Sequence, residues 1–127
     1  MLSPKEVAEI AIRALDAKNA HDLKLLRTTD VTVLADYFLI CTAASTTQIK
    51  TLADAAEAAL EAAGETKLHR EGYRSGSWVL LDFGCVVIHL FMEEARQFYN
   101  LERLWADAEE VDISGLLGAA EAADTAR

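Results

Sequence analysis

The chain has 127 residues, of which 52% are hydrophobic and 26% charged, and its net charge is −9. This size and composition predict one globular domain with a single hydrophobic core. They argue against a membrane protein, because no apolar run approaches the about 20 residues of a span, and against direct capture of nucleic acid, which needs a basic surface.

The start of the chain, "MLSPKEVAEI", lacks the basic and apolar blocks of a secretory signal. We therefore expect a cytoplasmic protein. Its acidity favours basic proteins as partners. Cys41 and Cys85 both lie in apolar runs and are expected to be buried, reduced thiols.

A helix and two strands are predicted first. Ser3–Glu6 has the residues of a capping box, with Pro4 at the first helical position, and apolar residues at helical spacing extend to about Lys18. Leu23–Thr28 indicates a short strand. Tyr37–Ala43, "YFLICTA", is typical of a strand buried on both faces.

A second helix follows these strands. Ser45–Gln48 predicts another capping box, and Gly64 stands where the helix should end. Alanines on its apolar side imply a close approach to a sheet. Its acidic residues, Glu57 among them, are expected on the solvent side.

The second half predicts a short strand at His69–Tyr73, a hairpin, and one long helix from "MEEARQFYNLERLWADAEE". Phe98, Leu101, Leu104 and Trp105 would form the apolar side of that helix. "VDI" suggests an edge strand. The fold class is therefore α/β, with a mixed sheet of about five strands flanked by helices. We expect one domain over 1–113 and a flexible tail over 114–127.

The hairpin "SWVLLDFGCVVIHLF" holds an aspartate and a histidine within a strongly apolar run. With Phe83-Gly84 as a two-residue turn, Asp82 pairs with Cys85 and Trp78 lies opposite His89. One face then contains only aliphatic residues: Val79, Leu81, Val86, Ile88 and Leu90. The other contains Trp78, Leu80, Asp82, Cys85, Val87, His89 and Phe91.

Three interpretations of this second face stay open from the residues alone: a second core, a partner surface, or a catalytic site. Phosphate-binding glycine motifs and zinc-ligand spacings are missing from the sequence. Two-metal chemistry would need more clustered carboxylates than Asp36 and Asp82. We therefore predict that the protein is not an enzyme and has no catalytic residue, metal or cofactor.

Three segments carry a resemblance to a known family: "ADYFLICTA", "EGYRSGSWVLLDFGCVVIHLF" and "EEARQFYNLERLW". They resemble the Iojap family, the ribosomal silencing factors of bacteria and organelles. The most specific part is the closing Tyr-x-Leu-Glu-x-Leu-Trp, from Tyr99 to Trp105. Four positions depart from the family pattern: Arg27, Ala43, Thr47 and Cys85.

The resemblance implies a sheet similar to that of nucleotidyltransferases, without their metal-binding carboxylates. It implies binding to the large ribosomal subunit through ribosomal protein fourteen. The bound factor would obstruct subunit joining and repress translation, chiefly when nutrients are limiting. It also leaves open a homodimer of the free protein.

We hypothesise that the hairpin face docks on that partner, with Trp78 as anchor and Asp82 paired to a basic side chain. For Tyr99 and Trp105, helical spacing alone offers the alternative of a core position. Two rival functions remain, a nucleotidyltransferase-like enzyme and a plain homodimerisation module. The predicted partner-binding residues are Trp78, Leu80, Asp82, His89, Tyr99, Glu102 and Trp105.

Overall fold

One mixed β-sheet organises the computed structural model, which describes residues 2–117. The strands are β1 (His21–Arg27), β2 (Tyr37–Ala43), β3 (His69–Glu71), β4 (Trp78–Asp82), β5 (Val86–Met92) and β6 (Glu109–Val111). The helices are α1 (Pro4–Ala17), α2 (Thr46–Ala62), α3 (Glu93–Tyr99) and α4 (Leu101–Leu104).

The strand order across the sheet is β3-β4-β5-β2-β1-β6, with β2 and β5 parallel and the other neighbours antiparallel. The predicted α/β class is confirmed. The sheet has six strands rather than about five. The sixth strand is β6, the edge strand that "VDI" suggested, which lies two residues earlier, at Glu109–Val111. The predicted strand at His69–Tyr73 is present as the shorter β3.

The two long helices, α1 and α2, cover one face of this sheet. The capping box that starts α1 forms as predicted: the Ser3 hydroxyl accepts from the Glu6 N–H and the Glu6 carboxylate accepts from the Ser3 N–H. The aliphatic hairpin residues predicted to be core are all buried beneath the helices. They are joined there by Leu39 and Cys41 of β2.

The start of α2 differs from the prediction in one bond. The Ser45 hydroxyl caps the Gln48 N–H, but the Gln48 carboxamide oxygen accepts from Ala44 rather than from Ser45. The Gln48 amide also donates to the carbonyls of Lys18 and Asn19, at 3.2 and 3.1 Å. One side chain thus fastens the end of α1 to the start of α2.

The β4–β5 hairpin turns one residue later than predicted from the sequence, which shifts the pairing register of its two strands by two residues. Asp82 lies opposite Val87 and Trp78 lies opposite Phe91, so the centre of the turn is Gly84-Cys85. Gly84 takes a left-handed φ of 84°, and its N–H is held by the Asp82 carboxylate at 2.8 Å. Because the shift is by an even number of residues, each strand keeps its predicted faces. Cys85 is the exception, since it leaves the Trp78 face and packs beside the helix-covered core.

The predicted long helix after β5 is broken in two. Asn100 adopts a left-handed φ of 47° between α3 and α4, and its N–H bonds to the Arg96 carbonyl. Because of this break, the residues predicted to form one apolar side no longer lie on the same side of a single helix. Leu101 is buried and Trp105 half-buried, whereas Phe98 and Leu104 are exposed.

Glu57 of α2 was expected on the solvent side, and that prediction is wrong. Its carboxylate is buried between Lys67, at 2.9 Å, and Arg70, at 3.3 Å. Both cations come from the segment that leads into and forms β3, so this cluster fastens the edge strand to α2. A buried carboxylate of this kind needs such pairing.

At the end of the described chain, Ser114–Leu116 form a single 3₁₀ turn, and Leu116 and Leu117 pack on the helix-covered core. The remainder of the predicted tail, 118–127, lies outside the described residues. None of the helices in residues 2–117 is long and apolar enough to cross a membrane.

Candidate functional site

The second face of the sheet carries a layer of aromatic rings instead of two long helices. Trp78 is at its centre: its indole stacks on Phe91 at 5.1 Å between ring centroids and packs at a tilt against Tyr99 of α3 at 4.5 Å. Phe38 of β2 meets Trp105 edge to face at 5.4 Å. Within residues 2–117 this layer is covered by the short α3 and α4, by Ala108 after α4 and by the β1–β2 loop. Trp78 is consequently half-buried rather than sealed.

His89 lies beneath Trp78 and sets the direction of the indole. The Trp78 Nε1–H donates to His89 Nδ1 at 3.2 Å. An acceptor at Nδ1 requires the neutral tautomer whose proton is on Nε2. In residues 2–117 that Nε2 is the one buried side-chain nitrogen or oxygen without a hydrogen-bond partner.

The imidazole of His89 is only 5% exposed. Burial lowers its pKa from 6.5 to about 4, because a charged ring would lose its hydration there. His89 was predicted to be a contact residue. In the described conformation it is buried and holds the indole of Trp78, another predicted contact residue.

The other two hairpin residues of the predicted site, Leu80 and Asp82, are half-buried on the same face. One oxygen of Asp82 accepts from the Gly84 N–H, which leaves the second oxygen for another donor. Leu80 packs at the border of the aromatic layer. The hairpin therefore presents an aliphatic, an aromatic and an acidic side chain in a row.

Arg96 fixes α3 and α4 to the sheet. Its guanidinium donates to Glu102 Oε1 at 3.1 Å, to the Asp22 carbonyl at 2.7 Å and to the Thr42 hydroxyl at 2.8 Å. Lys24 lies 3.6 Å from the other Glu102 oxygen. The side chain of Arg96 is 10% exposed, so this is not an ordinary surface pair. Glu102, a predicted contact residue, is therefore engaged within the chain.

Most of the exposed apolar side chains belong to the elements that cover the aromatic layer. Within residues 2–117 six large hydrophobic residues are exposed, and one of them, Leu68, precedes β3, where its N–H bonds to the Asp82 carbonyl. The other five belong to α3, α4 and the β1–β2 loop, whose Ala35 packs in the same cluster as Phe38. These five are Val33, Leu34, Phe98, Tyr99 and Leu104.

We call the five exposed residues, together with Trp78, Leu80, Asp82 and Trp105, the docking surface. Sequence reasoning missed Phe98 and Leu104, which it assigned to the core. The signal that could have indicated their exposure is Asn100, since asparagine tolerates the left-handed conformation that interrupts a helix. Val33 and Leu34 carried no comparable signal.

Groups that could support catalysis are dispersed in the described structure. Burial raises the pKa of the Cys41 thiol to about 12. The Asp36 carboxylate accepts from the Thr29 hydroxyl at 3.3 Å. Across 2–117 there is no cluster of three or more His, Cys, Asp or Glu side chains able to hold a metal ion.

Comparison with known proteins identifies the family. Residues 2–127 match the family described as "Ribosomal silencing factor during starvation". The chain belongs to this family. The resemblance seen in the sequence is thus confirmed, and the family is one of ribosomal silencing factors rather than of known enzymes.

Three similar proteins illustrate the range of the relatives. The ribosomal silencing factor RsfS of Bacillus subtilis is 37% identical over 88% of this chain and 95% of its own. A crystal structure from Chromobacterium violaceum superposes with a TM-score of 0.81 at 34% identity, covering 83% of this chain and 88% of that one. The mouse protein named "Mitochondrial assembly of ribosomal large subunit protein 1" is 28% identical over 76% of this chain and 44% of its own.

Proposed function

We propose that this protein binds the large ribosomal subunit through ribosomal protein fourteen and thereby prevents the small subunit from joining. Translation is repressed as a result, chiefly when nutrients are limiting. The description of the family and the name of the mouse relative support a ribosomal partner. No chemical step is required, because obstruction needs only affinity and bulk.

The observation that carries the proposal is the asymmetry of the two sheet faces. One face is sealed by α1 and α2, whereas the docking surface gathers five of the six exposed large hydrophobic residues described for the chain. Contiguous apolar patches with aromatic residues are typical of protein interfaces. The docking surface is therefore the part of the molecule best suited to contact a partner.

Charge favours a protein partner over exposed RNA. The net charge of −9 repels phosphates and attracts a basic ribosomal protein. Asp82 retains one carboxylate oxygen for a lysine or arginine of that partner. Trp78 provides the anchor, because a half-buried indole that is already held in place loses little freedom on binding.

Co-sedimentation with isolated large subunits tests the proposal. We expect the wild-type protein to sediment with the subunits and Trp78→Ala to lose about 2 kcal/mol of binding free energy or more, which is about thirtyfold in Kd. Leu104→Ser should also weaken binding, since Leu104 is 69% exposed on the docking surface. Leu68→Ser is the matched control, because Leu68 is similarly exposed but comes one residue before His69, the residue opposite Asp82, so its side chain points to the other side of the sheet.

Two further measurements separate the steps of the proposal. Purified protein fourteen should compete with large subunits for the silencing factor. In a sucrose gradient, adding the factor to large subunits before small subunits should lower the fraction of joined ribosomes. If Trp78→Ala and Leu104→Ser bind large subunits as tightly as Leu68→Ser does, the docking surface is not the site of contact. If Leu104→Ser changes only the oligomeric state of the free protein, the surface serves self-association instead.

A further inference from the structure

A groove of about 720 Å³ runs beside the docking surface, between the start of α2 and α3. We call it the Phe98 groove. Its apolar lining includes Met92, Ala95, Phe98 and Tyr99, besides Ala43 and Ala44. Its polar lining includes Thr46, Ser75, Ser77, Glu93 and Glu94.

The Phe98 groove is continuous with the docking surface through Tyr99. The Tyr99 ring packs on Trp78 at 4.5 Å and also lines the groove. Phe98 meets Tyr99 edge to face at 5.1 Å and is itself 81% exposed. A partner seated on Trp78 therefore lies next to the opening of the groove.

The charges of the groove favour a cation. Glu93 and Glu94 stand at the start of α3, both exposed, and among the described residues no lysine or arginine lines the groove. Exposed aromatic faces attract guanidinium and ammonium groups, and the methylene stems of arginine and lysine pack on apolar walls such as Met92 and Ala95. The lining thus offers contacts for both the charged end and the methylene stem of a long basic side chain.

We propose that the Phe98 groove receives an extended basic segment of the protein that docks on Trp78, with at least one arginine or lysine side chain between Phe98 and Glu94. This inference rests on the proposed function and specifies how the partner is recognised. The charge argument disfavours two other occupants. A phosphate group would meet two carboxylates, and a second copy of the chain would bring another net charge of −9.

Two substitutions in the groove and one outside it test the proposal. Phe98→Ala removes the exposed ring, and Glu94→Lys reverses the charge; both positions are exposed, so the fold should persist. Glu61→Lys is the matched control, an equal charge change at an exposed position near the opposite end of α2. Circular dichroism should give the same spectrum for all four proteins.

Binding to isolated large subunits is measured over a series of salt concentrations. We expect Phe98→Ala and Glu94→Lys each to weaken binding about tenfold, and Glu61→Lys to change it less than about threefold. Glu94→Lys should also flatten the dependence of binding on salt, because one charge contact is reversed. Binding by Phe98→Ala and Glu94→Lys equal to wild type would overturn the groove while leaving the proposed function intact. Equal losses of binding in Glu94→Lys and Glu61→Lys would show that net charge, and not the groove, controls binding, and would overturn the proposal.

A second experiment is independent of the ribosome. The peptide acetyl-Arg-Gly-Arg-amide is titrated into isotope-labelled protein, and amide chemical shifts are followed by NMR. We expect shifts at Ser75–Ser77 and Glu93–Tyr99 in the wild type, and their loss in Glu94→Lys. Shifts without ribosome binding would retain the groove and reject the proposed function. Shifts spread evenly over the acidic surface, or an effect of Phe98→Ala on oligomeric state alone, would overturn the basic segment as occupant.

Discussion

The buried, neutral imidazole of His89 should make the stability of this protein depend on pH. In the folded state its pKa is lowered from 6.5 to about 4. The unfolded chain binds a proton below about 6.5, whereas the folded chain does not until about 4, so acid favours unfolding. The stabilisation is complete above the unfolded value and is lost as the pH falls between the two. A difference of roughly 2.5 pKa units corresponds to about 3 kcal/mol, of which about 2 kcal/mol is lost between pH 7 and pH 5.

Urea unfolding of the wild type and His89→Gln, near pH 7 and near pH 5, measures this contribution. Glutamine does not titrate, and its carboxamide oxygen can accept from the Trp78 N–H. The variant should be less stable near pH 7, but the wild type should lose about 2 kcal/mol more than the variant on acidification. His21→Gln, at an exposed position, is the control and should behave like the wild type. Equal losses in the wild type and His89→Gln would refute the buried neutral imidazole.

Two further substitutions test how the docking surface is held. Gly72→Ala should cost about 3 kcal/mol or more in urea unfolding, because its Cβ would lie 1.9 Å from the Trp78 carbonyl oxygen. Gly64→Ala shares a positive φ but meets nothing within 4 Å, and should cost only about 1–2 kcal/mol; equal costs would contradict the close approach. Arg96→Met should cost about 2–4 kcal/mol and raise hydrogen exchange in α3 and α4, since a charged tie to the sheet is lost. Arg103→Met, exposed on α4, should change neither measurement, and a silent Arg96→Met would contradict the tie.

The parts of the fold that were predictable from sequence depend on local signals. The predicted bounds of β2, Tyr37–Ala43, are confirmed. A continuous apolar run of this length is typical of a strand that is buried on both faces of a sheet. α2 was equally clear from its cap, its apolar spacing and the glycine after it. The two faces of the hairpin followed from alternation alone, which is why they survived an error of two residues in the register.

The parts that escaped prediction depend on contacts between distant residues. The break at Asn100 interrupts a sequence with good helical spacing, and it is stabilised by Arg96, whose guanidinium bonds a carbonyl 74 residues away. By helical spacing alone, Glu57 belongs to the solvent side of α2. Its burial is possible because Lys67 and Arg70, further along the chain, pair with its carboxylate. For the docking surface, the hairpin residues were visible in the sequence, whereas the exposure of Phe98 and Leu104 required the helix break.

The two edges of the sheet restrict how any other protein can engage this one. β3 and β6 are three residues long, and five of their six side chains are exposed, with charged Arg70, Glu71, Glu109 and Glu110 among them. Such short, charged rims give an incoming strand few backbone groups to pair with. A partner must then bind through side-chain contacts, and each substitution of a contacting side chain can strengthen or weaken binding separately. The affinity of this protein for a partner can therefore change in small steps, one side chain at a time, while the backbone of the sheet stays the same.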